Sequence, residues 1–462
     1  MSLGAATALV TALTVPARAG GFGTAQFGGT HGNAASDSVT SIFYNPAGLA
    51  LGKGTQVYVE GLFAYRSADY TRDPGAIDRA GTGTPDGDGI AANSGAAKLR
   101  NTIASPFLGA AVRLGKSLTI AAGVYVPFGG QAKWGQVDTW KGNQQFPGAY
   151  DGPQRWSVTE GEQRALFYTL AAAYSTPDKK LMFGAGLNLI QGKISLTRAR
   201  NITGTDDLVN PDGSISEGRS LIEVDGFTMS ASLGMIARVS DDTVVGVSYQ
   251  SAPIPGGQNL DGTLTNQFGA TAAASQKVQF RQELPDSLRG AVDWHHGKAG
   301  LRGSVEYTRW SAFKEQCLVD STAPASCQFL PSGALDTENG GEGVLVDLPR
   351  NWGDNFAISV GGSYWPSSSL ELSANLKYDS NAIPNETLEP ALMDADKLIS
   401  MVGARWTKGK IMVDLSLANV AYATRTTTPR GIDPAAPSRN PDMAGTFKQS
   451  VTFALLGLGF SI

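Results

Sequence analysis

The sequence is short of histidine, cysteine and charge. Three histidines and two cysteines stand among 462 residues, and Asp, Glu, Lys and Arg together make up only 17%. So few potential ligands leave no metal site to nominate, because a structural or catalytic metal wants three or four His, Cys or carboxylate donors together. Nucleophilic catalysis is poorly supplied too. His31 stands alone, and the adjacent His295 and His296 would point to opposite faces of any strand. The net charge is −4, with no basic stripe to neutralise phosphates, which argues against a nucleic-acid partner. Beyond the first nineteen residues no run reaches the ~18–20 consecutive apolar residues that a helical membrane span requires. No cofactor and no enzymatic activity are expected.

Residues 1–19 read as a secretory leader. Leu3 to Val15 is mostly apolar, Pro16 breaks the run, and Ala17-Arg18-Ala19 fits the small-x-small cleavage pattern. The mature chain is expected to begin near Gly20. In an exported chain, Cys317 and Cys327 are expected to close one small loop as a disulfide.

What the chain does have is glycine, 57 residues of it, and a repeated unit. From Gly54 onward, runs of roughly ten residues alternate apolar with small or polar, and each run ends in a turn. Ser117 to Phe128 is the clearest, with Leu118, Ile120, Ala122, Val124, Val126 and Phe128 in one phase. The final run puts Thr452, Ala454, Leu456, Leu458, Phe460 and Ile462 in the lipid phase. Small residues in the other phase should leave room for a plug. About fourteen such runs can be drawn.

The connections alternate between short and long. Tight turns fall at Gly115-Lys116, Pro177-Asp178, Asp241-Asp242, Gly297-Lys298, Pro366-Ser367 and Lys408-Gly409. Long polar segments rich in Gly and Pro lie between them, including 251–275 and 311–355. This is the plan of an outer-membrane barrel, with tight turns facing the periplasm and long loops outside. A soluble β-sandwich would seldom place every long connection at one end. The expected fold is all-β: a 14-stranded antiparallel transmembrane β-barrel over residues 54–462, with a small N-terminal hatch, residues 20–53, plugging its lumen.

That hatch is rich in small residues and ends in Asn45-Pro46-Ala47-Gly48. Asn can bond its own backbone and Pro fixes φ, so the tetrapeptide is a turn by its own chemistry. The run Asp37-Ser38-Val39-Thr40-Ser41-Ile42-Phe43-Tyr44-Asn45-Pro46-Ala47-Gly48-Leu49 closely resembles the hatch of the FadL family, outer-membrane transporters of long-chain fatty acids and other hydrophobic compounds. The resemblance extends to Gly123–Trp134, placed like that family's kinked third strand, to Leu284-Pro285-Asp286, and to Tyr307-Thr308-Arg309-Trp310-Ser311-Ala312-Phe313.

The resemblance implies passive uptake across the outer membrane of a Gram-negative cell by a monomer. A hydrophobic ligand would be captured by outer loops, held in an apolar pocket above the hatch, and released sideways through the wall. Pro127 has no N–H to give a ladder and Gly129-Gly130 carry no side chains, so Pro127, Phe128, Gly129 and Gly130 mark the expected lateral opening. The plainer alternative is that Pro127 simply ends a strand at the outer rim. Position in the family pattern nominates Lys193, Arg198 and Arg200 for a ligand carboxylate, with Gly21 and Phe22 nearby. Arg198 and Arg200 could equally sit at the rim and bind lipopolysaccharide phosphates. Phe128, Trp134, Trp140, Phe146 and Trp156 could form an outer greasy groove or pack their own loop. A general diffusion porin and an outer-membrane lipid-modifying enzyme are the competing functions.

Overall fold

In a computed structural model, residues 23, 25–77, 87–202, 204–210, 212–269, 271–322, 327, 343–429 and 440–462 are described. The leader (1–19), Gly21 and Phe22 lie outside the described residues.

A closed ring of antiparallel strands follows from the alternation. Six long strands come first: β1 (Thr55–Arg72), β2 (Gly95–Leu114), β3 (Leu118–Lys133), β4 (Glu160–Ser175), β5 (Leu181–Arg200) and β6 (Gly218–Arg238). Four positions in the wall are then filled by strands broken midway. These are β7 (Thr243–Gln250) with β8 (Gln258–Phe268), β9 (Ala274–Gln282) with β10 (Ser287–His296), β11 (Ala299–Thr308) with β12 (Glu315–Asp320), and β13 (Val344–Pro349) with β14 (Asn355–Ser367). The circuit finishes with β15 (Leu370–Asp379), β16 (Lys397–Lys408), β17 (Ile411–Tyr422), the two-residue β18 (Arg425–Thr426) and β19 (Gly445–Ser461). Pairing of β19 with β1 along Gln56–Arg72 closes the ring. Counted by wall position it is a 14-stranded barrel, the expected class.

Two expected loops are corrected. Residues 251–275 contain β8, and 311–355 contain β12 and β13. Each of the four positions kinks at one level, at Ser251–Gly257, Glu283–Asp286, Arg309–Lys314 and Arg350–Asp354; Pro or Gly stops the ladder in three of them, and a short helical turn at Trp310–Ala312 does so in the other. Below the kinks the inner halves pair as β6-β7-β10-β11-β14-β15, while the outer halves pair as β6-β8-β9-β12-β13. The outer ribbon curls onto the top of β5, where Arg200 donates to the Leu345 carbonyl. It encloses its own apolar cluster of Ile194, Ile222, Val224, Leu260, Val278, Phe280, Leu318 and Leu348. The Cys317–Cys327 disulfide ties β12 to the segment after it.

Outward positions carry Phe63, Leu170, Leu187, Val360, Val402 and Leu458, all exposed as a lipid-facing band must be. Inward in β19 are Phe453 and Leu455, both buried. Gly457 and Gly459 of the same face do not make room for the hatch. The barrel's own Tyr58 and Met412 lie over them.

The hatch, residues 25–53, is a short chain of turns with one α-helical turn, α1 (Ser41–Tyr44), and sits inside the ring. Outside, the cap is locked by buried charge. Arg72 donates to Asp206 at 2.5 Å and Arg155 to Glu217 at 3.0 Å, with Asn93 bonded to Arg155 and Trp156. Burial pushes the Glu217 carboxyl up, but Arg155 and Arg219 more than offset this and hold it below the usual carboxylate range. Trp156 and Phe146 are buried in this cap, so they pack the loops rather than form an open groove.

The lipid-facing assignment is testable at Leu170, which stands 67% exposed at the middle of β4. Leu170→Arg should lower barrel stability by about 2–4 kcal/mol if the residue lies near the bilayer midplane. Urea titration of the protein folded into phosphocholine vesicles measures it.

Candidate functional site

The Asn-Pro-Ala turn is built against the wall, not hung in open space. Asn45 caps the turn through its side-chain oxygen, which accepts from the Ala47 N–H at 3.1 Å. Its amide nitrogen donates to the Ala34 carbonyl at 2.6 Å and to the Met235 carbonyl of β6 at 3.2 Å. One fully buried side chain therefore ties two parts of the hatch to a wall strand. The close approach needs glycine on the wall: a Cβ at Gly234 would collide with the Asn45 side-chain oxygen, and one at Gly184 with the Pro46–Ala47 peptide. Asn45, Pro46, Ala47 and Gly48 thus form one seat on β5 and β6.

The rest of the hatch has two unlike sides. Toward β2 and β3 it is aromatic: Phe27 lies 5.1 Å from Phe107 and 5.3 Å from Tyr125, and Phe43 lies 5.8 Å from Tyr125. Toward β1 and β10–β17 it is polar. The Gly28 N–H donates to both Glu60 carboxylate oxygens, Thr30 bonds Ser373 at 2.7 Å, and His31 Nε2 lies 2.9 Å from Glu371. Burial and the neighbouring Arg405 lower the His31 pKa more than its bond to Glu371 raises it. This His31 anchors the hatch; it faces no nucleophile.

The second feature is a parting of the wall. β2 and β3 pair only from Phe107/Tyr125 down to their turn at Leu114/Leu118. Above that, β2 stays with β1 as far as Gly95, and β3 stays with β4, its register slipping between Tyr125 and Phe128. The parting closes again near the outer rim. There Asn101 donates to the Gln131 carbonyl and the Gly135 N–H to the Lys98 carbonyl, both at 2.8 Å. Between these levels Ile103–Pro106 face Val126–Gly130 without a ladder. Gly23 of the hatch forms a bridge to Phe128 at the lower edge. Pro127 therefore lies within the wall, below further strand, and does not end β3 at the rim.

A cavity of about 630 Å³ occupies the lumen above the hatch. Its inner lining includes Ile194, Ile222, Phe280 and Leu348. Pro106, Val124, Val126 and Leu166 also line it, and these project from the outer face of the wall. The cavity therefore passes through the parting between β2 and β3. Gly129 and Gly130 line the passage, and a Cβ at Gly130 would meet nothing within 4 Å.

The expected head-group residues are placed differently. Lys193 points outward from β5, exposed with Leu187 and Leu189, because odd positions of that strand face lipid. Arg198 is buried behind the cavity, where it donates to Asn440 at 3.1 Å. Neither lines the cavity. The charged residues on its inner wall are instead Arg66, Asp379, Lys397 and Arg350. Arg66 was legible in principle, since it shares the inward phase of Leu62 and Ala64. The others stand at strand ends, where alternation gives no face. Among the described residues no group of His, Cys, Asp and Glu could hold a metal.

Comparison with known proteins gives the family and the fold. Residues 2–460 match the family of outer membrane transport proteins OMPP1/FadL/TodX. The outer membrane protein NMB0088 of Neisseria meningitidis serogroup B is 24% identical over 396 residues, which cover 81% of this chain and 78% of that protein. Among solved structures, a FadL homologue of Pseudomonas aeruginosa superposes with a TM-score of 0.72 at 14% identity, covering 97% of this chain and 100% of the other. The toluene transporter TbuX of Ralstonia pickettii gives 0.61 at 17% identity, covering 95% and 98%. The toluene transporter TodX of Pseudomonas putida gives 0.61 at 15%, covering 92% and 93%. The chain is a transport protein of the outer membrane rather than an enzyme, and it belongs to the OMPP1/FadL/TodX family.

Proposed function

We propose that this protein carries hydrophobic small molecules, long-chain fatty acids among them, from the cell exterior into the outer membrane through the parting between β2 and β3. One observation carries the reading: a single cavity is lined both by lumen-facing residues and by residues from the lipid face of the wall. A ligand in the lumen already borders hydrocarbon.

The physics favours this route over one straight down. Moving an apolar chain out of the cavity into water below would expose its surface at a cost of roughly 25 cal/mol per Å². Moving it sideways keeps that surface in apolar surroundings, so downhill flux needs no energy source. The hatch blocks the straight path, with Phe27, Phe43 and Asn45 filling the lumen below the cavity. A free diffusion porin would instead keep an open aqueous channel.

Two substitutions separate exit from blockage. At Gly130 a Cβ meets nothing within 4 Å, and Gly130→Phe should fill the passage, cutting uptake of radiolabelled dodecanoate by cells at least fivefold while the barrel stays heat-modifiable on gels. Unchanged uptake would sink the sideways route. Gly234→Val should push Asn45 off its seat and raise ion conductance in planar bilayers above the closed baseline of the parent protein. If the parent already conducts small ions freely, the porin reading replaces this one.

A further inference from the structure

The cavity contains one cation that differs from the rest. Lys397 is answered by Asp394 at 3.0 Å and Asp379 at 3.6 Å, and Arg350 by Glu389 at 2.7 Å. Arg164 lies on the outer face of β4, more than a third exposed and 3.9 Å from Glu162. Arg66, on the inner face of β1, has no carboxylate within ion-pair distance among the described residues. Its one hydrogen bond joins Nη2 to Gln449 Oε1 at 3.1 Å. Gln449 is held in that orientation because its own amide nitrogen donates to the Met393 carbonyl at 3.2 Å. A guanidinium facing an apolar cavity with only a neutral partner is poorly compensated, and an anion that enters with it gains what the protein leaves unmet.

What surrounds Arg66 tells what the rest of such an anion must be. Arg66, Gln449, Tyr422 and Lys397 lie at one level near the outer ends of β1, β19, β17 and β16. The next inward positions toward the hatch on those strands are Ala64, Val451, Val420 and Ile399, followed by Leu62 and Phe453, all on the cavity wall. The wall is polar above and apolar below. In register, Arg66 pairs with Asn101 of β2, which bonds across the top of the parting, and Ala64 and Leu62 pair with Ile103 and Ser105 beside the parting itself. A head group at Arg66 would therefore leave its tail hanging down at the level of the passage.

We infer that Arg66 is the specificity residue for an amphipathic monocarboxylate, binding its head group and presenting its alkyl tail to the parting between β2 and β3, so that the ligand leaves tail first. This rests on the sideways-exit reading for the last step but not for binding. It also separates the substrate of this chain from the neutral toluene named for TbuX and TodX. Gln449 is a positioning residue: its side-chain oxygen fixes one edge of the guanidinium, so that a carboxylate meets the other.

The test compares two ligands of equal tail, dodecanoate and 1-dodecanol, by calorimetric titration of the purified full chain at pH 8. Arg66→Gln should weaken dodecanoate at least tenfold and leave 1-dodecanol within twofold. Gln449→Glu keeps Arg66 but gives it a built-in carboxylate, and should weaken dodecanoate similarly. Equal loss for both ligands, or no loss of dodecanoate in either variant, overturns the assignment. The Gly130→Phe variant should keep the parent's preference for dodecanoate over 1-dodecanol yet fail to take dodecanoate up. If Arg66→Gln loses binding while Gly130→Phe transports normally, the head-group assignment stands and the sideways exit falls.

Discussion

In hydrocarbon every backbone N–H and C=O must find a partner within the protein, because nothing in the solvent can supply one. That requirement closes β19 onto β1 and keeps β1 paired with β2, and β4 with β5 and β5 with β6, along their length. It also sets the terms on which the wall can part. The β2–β3 ladder stops at Phe107/Tyr125, and the chain compensates in three ways. Proline removes a donor at position 127, Gly23 of the hatch bridges to Phe128, and side-chain and backbone bonds reseal the wall at Asn101/Gln131 and Lys98/Gly135. The parting is framed from both ends and cannot unzip the barrel.

The hatch and the parting then become one device. The hatch packs aromatic rings against the strands that lead up to the parting and makes its polar bonds on the opposite wall. Aromatic packing is adaptable in angle and holds by area. The bonds from Glu60, Glu371, Ser373 and Met235 hold by direction. The hatch is therefore fixed in place by the far wall, and it meets the cavity through Gly23 and Gln26. Broken strands β7–β14 extend this outward: their outer halves fold over an apolar cluster that supplies part of the cavity's lining.

Much of this was legible in the sequence, and for identifiable reasons. Period-2 alternation marks strands even without their partners, so the barrel, its tight turns and the lipid phase of β19 could be read directly. Asn45-Pro46 and Pro127 through Gly130 could be read because proline and glycine restrict backbone chemistry locally. β8, β12 and β13 were lost in expected loops because β8 is polar and bounded by Gly257 and Gly269, and β12 and β13 are six residues each, too short for alternation to stand out. Lys193 was misplaced because a head-group site was sought by position in a family pattern rather than by strand phase. One residue of phase decides whether a cation meets ligand or lipid.

That last point gives Arg66 its weight. A barrel wall alternates between two solvents, and an arginine on the lipid side can reach up to water, as surface cations do. An arginine on the inner side above an apolar cavity has no such escape. The chain pairs four other inward cations with acids, Arg289 with Glu306, Arg302 with Glu371, Arg405 with Asp414 and Lys397 with Asp394, while the buried Arg198, which does not line the cavity, bonds Asn440. On the inner wall of the cavity Arg350 and Lys397 meet carboxylates while Arg66 meets a glutamine, and that contrast is what supports the proposed head-group site. On the proposed route, the parting of β2 and β3 one pleat below Arg66 would give the tail attached to that charge its way out.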